Sequence, residues 1–240
     1  MSMRTVLILA VLGSALAPLG CVKKESVDSQ DVTTHGMSLE MDVINDGTKS
    51  KVYVALHVGS WQSLVWAKLS TGDQLVVIDP AGNRQELKVT YSGNKTAYGV
   101  ELPAMAGDFK LDFTRAKGAS ALGNKTTVPA PFTLAVSAPS VSRKEALTFT
   151  WGAASGSMGY SLSGSCISSH VPKTIVGDPG TFTINAGELK ALAGKENETC
   201  QLTLKVTRSA TSDACCSSEF GHPSHSNGVQ ERVINFESKP

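Results

Sequence analysis

From Met37 onward the chain alternates apolar and polar residues with a period of two, and that repeat leaves little choice of secondary structure. Side chains of a pleated strand point to opposite faces in turn, so such alternation describes strands with one face buried. Met37, Leu39, Met41 and Val43 form one stripe. Others are Val52, Val54, Leu56 and Val58; Leu87, Val89 and Tyr91; Tyr98, Val100 and Leu102; and Phe109, Leu111 and Phe113. Leu75 to Ile78 is continuously apolar and suits a central strand. Turn chemistry separates these runs at Asn45-Asp46-Gly47, Asp79-Pro80-Ala81-Gly82-Asn83, Ser92-Gly93-Asn94 and Ala106-Gly107-Asp108. Short strands at this spacing, with no helical period between them, predict an all-β fold with a β-sandwich over residues 36–130.

Residues 116–130 are rich in Gly, Ser, Asn and Thr and lead into Pro129 and Pro131, which places a domain boundary there. A second alternation follows: Phe132, Leu134 and Val136; Leu147, Phe149 and Trp151; Tyr160, Leu162 and Cys166; Phe182 and Ile184; Cys200, Leu202, Leu204 and Val206; and a closing run through Val229, Glu231 and Val233 to Ile234 and Phe236. LTFTW, then a Tyr-containing strand ending in Cys166, then DPGTFTI, then CQLTLKV, resembles an immunoglobulin or fibronectin type III sandwich over residues 131–240. The pattern is similar to tandem sandwich domains of outer-membrane lipoproteins. That resemblance implies two tandem β-sandwich domains and an envelope address, and no chemistry.

The amino-terminal stretch carries the address. Arg4 precedes an apolar run, TVLILAVL, that is too short to span a bilayer, and Leu19-Gly20 leads to Cys21. Residues 1–20 thus read as an export signal, and the site resembles the lipobox of bacterial lipoproteins, with Pro18 where that family prefers Leu. The resemblance implies lipidation of Cys21 and a membrane partner held through that lipid. Val22, where Asp favours inner-membrane retention in some bacteria, points to the outer membrane. Ordinary secretion with a cut after Ala17 is the alternative, against which stands Pro18 beyond the cut. Residues 21–35 are polar and without aromatics and read as a tether.

A formal net charge of +1, with the charges dispersed, excludes a field that would draw nucleic acid. With Cys21 taken by lipid, Cys166, Cys200, Cys215 and Cys216 remain, and an oxidising compartment makes disulfides their first reading. The sandwich reading sets the end of the strand at Cys166 beside the start of the strand at Cys200 and implies that these two pair. Cys215 and Cys216 then have three options: a vicinal disulfide, free or intermolecular thiols, or a zinc site with His222 and His225. The last is disfavoured because adjacent ligands point apart. That loop is also the basis of an alternative redox or metal-handling function.

No metalloprotease, nucleophile-elbow, P-loop or dinucleotide motif occurs, and His57 and His170 stand alone in sequence, so neither a catalytic residue nor a cofactor is expected. Asp42, Asn45 and Asp46 gather oxygen ligands of the kind calcium uses, but an Asx turn accounts for them. Trp151 falls on a buried parity. Trp61 and Trp66, in SWQSLVWAKL, are candidate ligand-binding residues that either stack on a sugar or plug the sandwich end. The expectation is a lipid-anchored envelope protein that is not an enzyme and works as a binding or scaffolding module for an envelope protein or a glycan.

Overall fold

The computed structural model describes residues 25–92, 95–210 and 215–240, so the stretch read as an export signal and Cys21 lie outside the described residues. The first half contributes β1 (Glu25–Asp28), β2 (Met37–Asn45), β3 (Lys49–Val58), β4 (Val65–Lys68), β5 (Gln74–Ile78), β6 (Arg84–Glu86), β7 (Lys88–Ser92), β8 (Lys95–Pro103), β9 (Gly107–Thr114) and β10 (Ala121–Val128). The second contributes β11 (Ala135–Val136), β12 (Ser140–Ser142), β13 (Leu147–Thr150), β14 (Ser157–Gly164), β15 (His170–Ile175), β16 (Thr181–Ile184), β17 (Cys200–Ser209) and β18 (His225–Lys239). Among the described residues the chain is all-β, and the helical turns there are two three-residue 3-10 segments, Ser29–Asp31 and Thr34–Gly36.

Two apolar cores form, each between two sheets. In the first, Met37, Leu39, Met41 and Val43 of β2 and Val52, Val54 and Leu56 of β3 face Leu75 and Val77 of β5 and Phe109, Leu111 and Phe113 of β9. The second sets Tyr160, Leu162, Leu202, Leu204 and Val206 against Leu147, Phe149, Trp151 and Ile184. The stripes of β2, β3, β9, β13, β14 and β17 are thus inner faces of two packed pairs of sheets, as sandwich architecture requires, whereas Val89 of the Leu87–Val89–Tyr91 stripe is exposed. Leu75 to Ile78 forms an inner strand between β9 and β6.

The two sandwiches share a strand. His225 to Gln230 at the start of β18 runs parallel to Glu40–Asn45 of β2, and Val229 to Ser238 runs antiparallel to Ser209–Cys200 of β17. One continuous sheet therefore passes from β1, β4, β3 and β2 through β18 to β17, β14 and β15. Residues 215–230, expected in the second sandwich, pack on the first: Phe220 is buried in the first core and stacks on Phe113 with centroids 6.4 Å apart. The apolar stripe at the chain's end also sits differently from the expectation, with Phe236 buried and Val233 half exposed.

The linker is clamped. Arg208 donates to the Ala130 carbonyl at 3.1 Å and Gln230 Nε2 to the Pro129 carbonyl at 2.9 Å, while Arg232 Nε donates to the Phe132 carbonyl at 3.1 Å. The Arg208 and Arg232 guanidinium carbons lie 4.9 and 5.4 Å from the centroid of the Phe132 ring, a cation–π arrangement. Arg208 carries its charge inside by pairing with Asp178 Oδ2 at 2.7 Å, and Asp178 Oδ1 accepts from Trp151 Nε1 at 2.6 Å.

Residues 25–36 depart from the tether reading. β1 pairs in parallel with β4, and Ser29 and Thr34 are buried. Ser29 Oγ donates to Asp73 Oδ2 at 2.6 Å, and Arg115 donates to Thr34 Oγ1 at 2.9 Å and to the Ser29 carbonyl. Polar composition misleads here because this segment is held by hydrogen bonds to a buried Arg–Asp pair and scarcely by apolar burial.

Candidate functional site

Residues alternating with the first core lie on the other face of the sheet, which is itself covered at Ser38, Ala55 and His57. On β2 these are Ser38, Glu40 and Asp42, and on β3 Tyr53, Ala55 and His57, in the register Glu40 with Ala55 and Asp42 with Tyr53. β8 adds Gly99 opposite Tyr53, and β18 adds His225 and Asn227 opposite Glu40 and Asp42. A methyl group on Gly99 would stand 3.0 Å from the Val52 carbonyl oxygen and 3.5 Å from Thr90 Oγ1. Its absence leaves the floor of a concavity of about 630 Å³, walled by Glu40, Asp42, Tyr53, Thr90 and Lys95.

The charged groups in this hollow are already fixed. Glu40 Oε2 accepts from Lys95 Nζ at 2.5 Å and lies 2.8 Å from His57 Nε2, and His57 Nδ1 lies 2.9 Å from the Ser63 carbonyl oxygen. Both ring nitrogens of His57 face oxygen atoms, which fixes the plane of the ring. Burial pushes the Glu40 carboxyl up, but hydrogen bonds from His57 and Lys95, together with their charges, outweigh it and hold the group at about 2. Burial pulls the Lys95 ammonium down, and its hydrogen bonds to Glu40 and Tyr53 more than restore it. Asp42 has no such partners, and burial followed by the adjacent Glu40 charge pushes its carboxyl up. Lys95 Nζ also lies 4.9 Å from the centroid of the Tyr53 ring. The surface offers one satisfied ion cluster, one half-buried carboxylate and one aromatic face on paired strands.

The residues singled out from sequence lie around this face and do not form one site. Trp66 is 3% exposed and points into the fold beside His57, so it cannot stack on a ligand. Trp61 is half-buried and stacks on His225, with centroids 4.8 Å apart. His222 is exposed, and Cys215 is joined to Cys216, so the proposed zinc ligands do not converge. Among the described residues no three His, Cys, Asp or Glu side chains gather as a metal set. Asn45 and Asp46 are used in the turn, accepting from Gly47 N at 2.8 Å and Thr48 N at 2.9 Å, while Asp42 stands apart on the sheet.

Cys166 and Cys200 are joined, with Cα atoms 5.9 Å apart. The vicinal pair begins a strap along the edge of the first sandwich. Lys125 N donates to the Cys215 carbonyl at 2.6 Å, Ser217 N to Asn124 Oδ1 at 2.9 Å, and Leu39 N to Ser224 Oγ at 2.9 Å. Glu40, Tyr53 and Lys95 were not singled out by sequence reasoning, and Asp42 was weighed there only as a calcium ligand beside Asn45 and Asp46. The available signal was the pair of acidic residues at alternate positions opposite a fully apolar stripe; Lys95, more than fifty positions away, gave none.

No protein-family model matches the chain. No curated protein matches it either. Among solved structures, a mutant α-2-macroglobulin from Salmonella is 11% identical over 87% of this chain, with a TM-score of 0.30. The Yersinia pseudotuberculosis adhesin InvE is 13% identical over 85%, with a TM-score of 0.24, and the BSP domain of a biofilm-associated protein is 14% identical over 83%, with a TM-score of 0.26. The chain spans 15%, 59% and 29% of those chains, less than two thirds of each.

Proposed function

We propose that this chain is a lipid-anchored cell-envelope protein, tethered through Cys21 to the outer membrane, that works as a binding or scaffolding module through the outward face of its first sandwich. The observation that carries the binding role is the hollow over Gly99, where Asp42, Tyr53 and Lys95 are held on paired strands with one carboxylate left without a hydrogen-bond or ion-pair partner among the described residues. A concave, mixed-polarity surface whose charged groups Glu40, His57 and Lys95 are already paired to one another suits recognition better than turnover. The shared strand supports a scaffolding role, because it joins the two sandwiches in one continuous sheet. The anchor rests on the sequence around Cys21.

Photo-crosslinking in intact cells tests this reading. A crosslinking residue at Tyr53 is expected to give a discrete adduct that disappears with Asp42→Ala, while one at Lys110, on the opposite sheet, gives none. Equal labelling from both positions, or none from Tyr53, would remove the assignment. Cys21→Ser should move the protein from the membrane to the soluble fraction.

A further inference from the structure

Arg143 is 5% exposed, and among the described residues no carboxylate pairs with it. Its guanidinium instead donates to the carbonyl oxygens of Glu196 at 2.7 Å, Glu198 at 3.0 Å and Lys195 at 3.5 Å, to Ser238 Oγ at 3.3 Å, and to Cys166 Sγ at 3.4 Å. A buried cation in contact with one sulfur of a disulfide makes the two sulfurs unequal. Cys166 is fully buried against the guanidinium, whereas Cys200, at the first position of β17, is only partly buried.

We propose that the Cys166–Cys200 disulfide is a directional thiol-exchange site, in which an external small monothiol of the glutathione class attacks Cys200 and Arg143 receives Cys166 as the leaving thiolate. The attacking sulfur, as thiolate, forms a bond to Cys200 Sγ. The Sγ–Sγ bond breaks, and its electron pair leaves on Cys166 Sγ. The products are a mixed disulfide on Cys200 and one protein thiolate, so charge and electrons balance. Exchange is faster when the departing thiolate is stabilised, and a guanidinium in contact does this. Attack from the other side would require entry to the buried sulfur and would expel a thiolate from Cys200, which has no contact with Arg143 among the hydrogen bonds described. Cys200 is thereby a modification site, and Arg143 sets which sulfur is modified.

The test uses the full chain with Cys21, Cys215 and Cys216 replaced by Ser, incubated with glutathione, quenched with acid and alkylated. Peptide mapping should find glutathione on Cys200 and the alkyl group on Cys166, with a rate that rises linearly with thiol concentration. Arg143→Gln should slow exchange by ~10-fold, and Arg143→Lys should recover most of it, because the charge returns. Glutathione on Cys166, a rate independent of thiol concentration as expected for attack on unfolded chains, or an unchanged rate in Arg143→Gln would each overturn the proposal. Should Arg143→Gln not fold, adduct position and thiol order in the chain with Arg143 intact decide the matter.

Discussion

Val229 lies opposite Ile44 of the first sandwich on one edge and opposite Ser209 of the second on the other. No flexible segment separates the two cores at that point, because the same peptide units serve both ladders. Mechanical independence of the sandwiches is therefore lost, although each has its own apolar interior.

Joint unfolding is the first expected outcome. Hydrogen exchange of the Leu56 and Leu204 amides should report the same opening free energy, since releasing β18 exposes both cores. Gly228→Ala should destabilise both together by about 3 kcal/mol, because its Cβ would stand 2.0 Å from the Thr127 carbonyl oxygen and backbone must move. Two separate transitions in denaturant would show that the shared strand frays without consequence.

Much of this architecture was legible in sequence, and the part that was not has a physical reason. Met41 to Val43 and Leu147 to Phe149 announce their inner faces because each stretch has a single buried side. β18 does not, since its partners change along its length: Gly228, Val229 and Gln230 are all buried in succession where the two sheets meet. Alternation records which side is buried and says nothing of which strand lies alongside. The outward cluster was hidden for a related reason, as Glu40 meets His57 and Lys95 only through strand pairing.

The pair of Arg208 and Asp178 should be costly to break and cheap to replace. Both side chains are 1% exposed. Asp178→Ala leaves a buried guanidinium uncompensated and should cost roughly 3–5 kcal/mol in urea unfolding. It also strands Trp151 Nε1, so a Trp151 emission shift should accompany the loss. A cost below about 1 kcal/mol would mean that water enters the junction.

Acid should remove the contribution of Glu40. Its folded carboxyl is held at about 2 against an ordinary value of 4.5, so the folded state resists protonation more than the unfolded chain does. The stabilisation is thus fully present above the ordinary value and is lost as pH falls from there toward 2. Glu40→Gln should destabilise the protein at pH 7 and match the native chain near the lower limit of that window. Asp42 has the opposite sign: burial and the Glu40 charge push its carboxyl up, so Asp42→Asn should stabilise the protein at neutral pH. A constant difference between Glu40→Gln and the native chain from pH 7 to pH 2 would contradict this account.

The two disulfides should differ in what they contribute. The bond between Cys166 and Cys200 closes a loop with a sequence separation of 34, so replacing both by Ala should cost about 3–4 kcal/mol through the freedom regained by the unfolded chain. Cys215 and Cys216 are one residue apart and close almost no loop, so replacing both should cost less than about 1 kcal/mol by the same argument. Their bond acts locally, between the Cys215 carbonyl that accepts from Lys125 and the Ser217 amide that donates to Asn124. Its loss should appear as faster hydrogen exchange at the Lys125 and Ser217 amides while the melting temperature scarcely changes. Protection that survives in Cys215→Ala/Cys216→Ala would show that Phe220, seated against Phe113, is sufficient to hold the strap on the first sandwich.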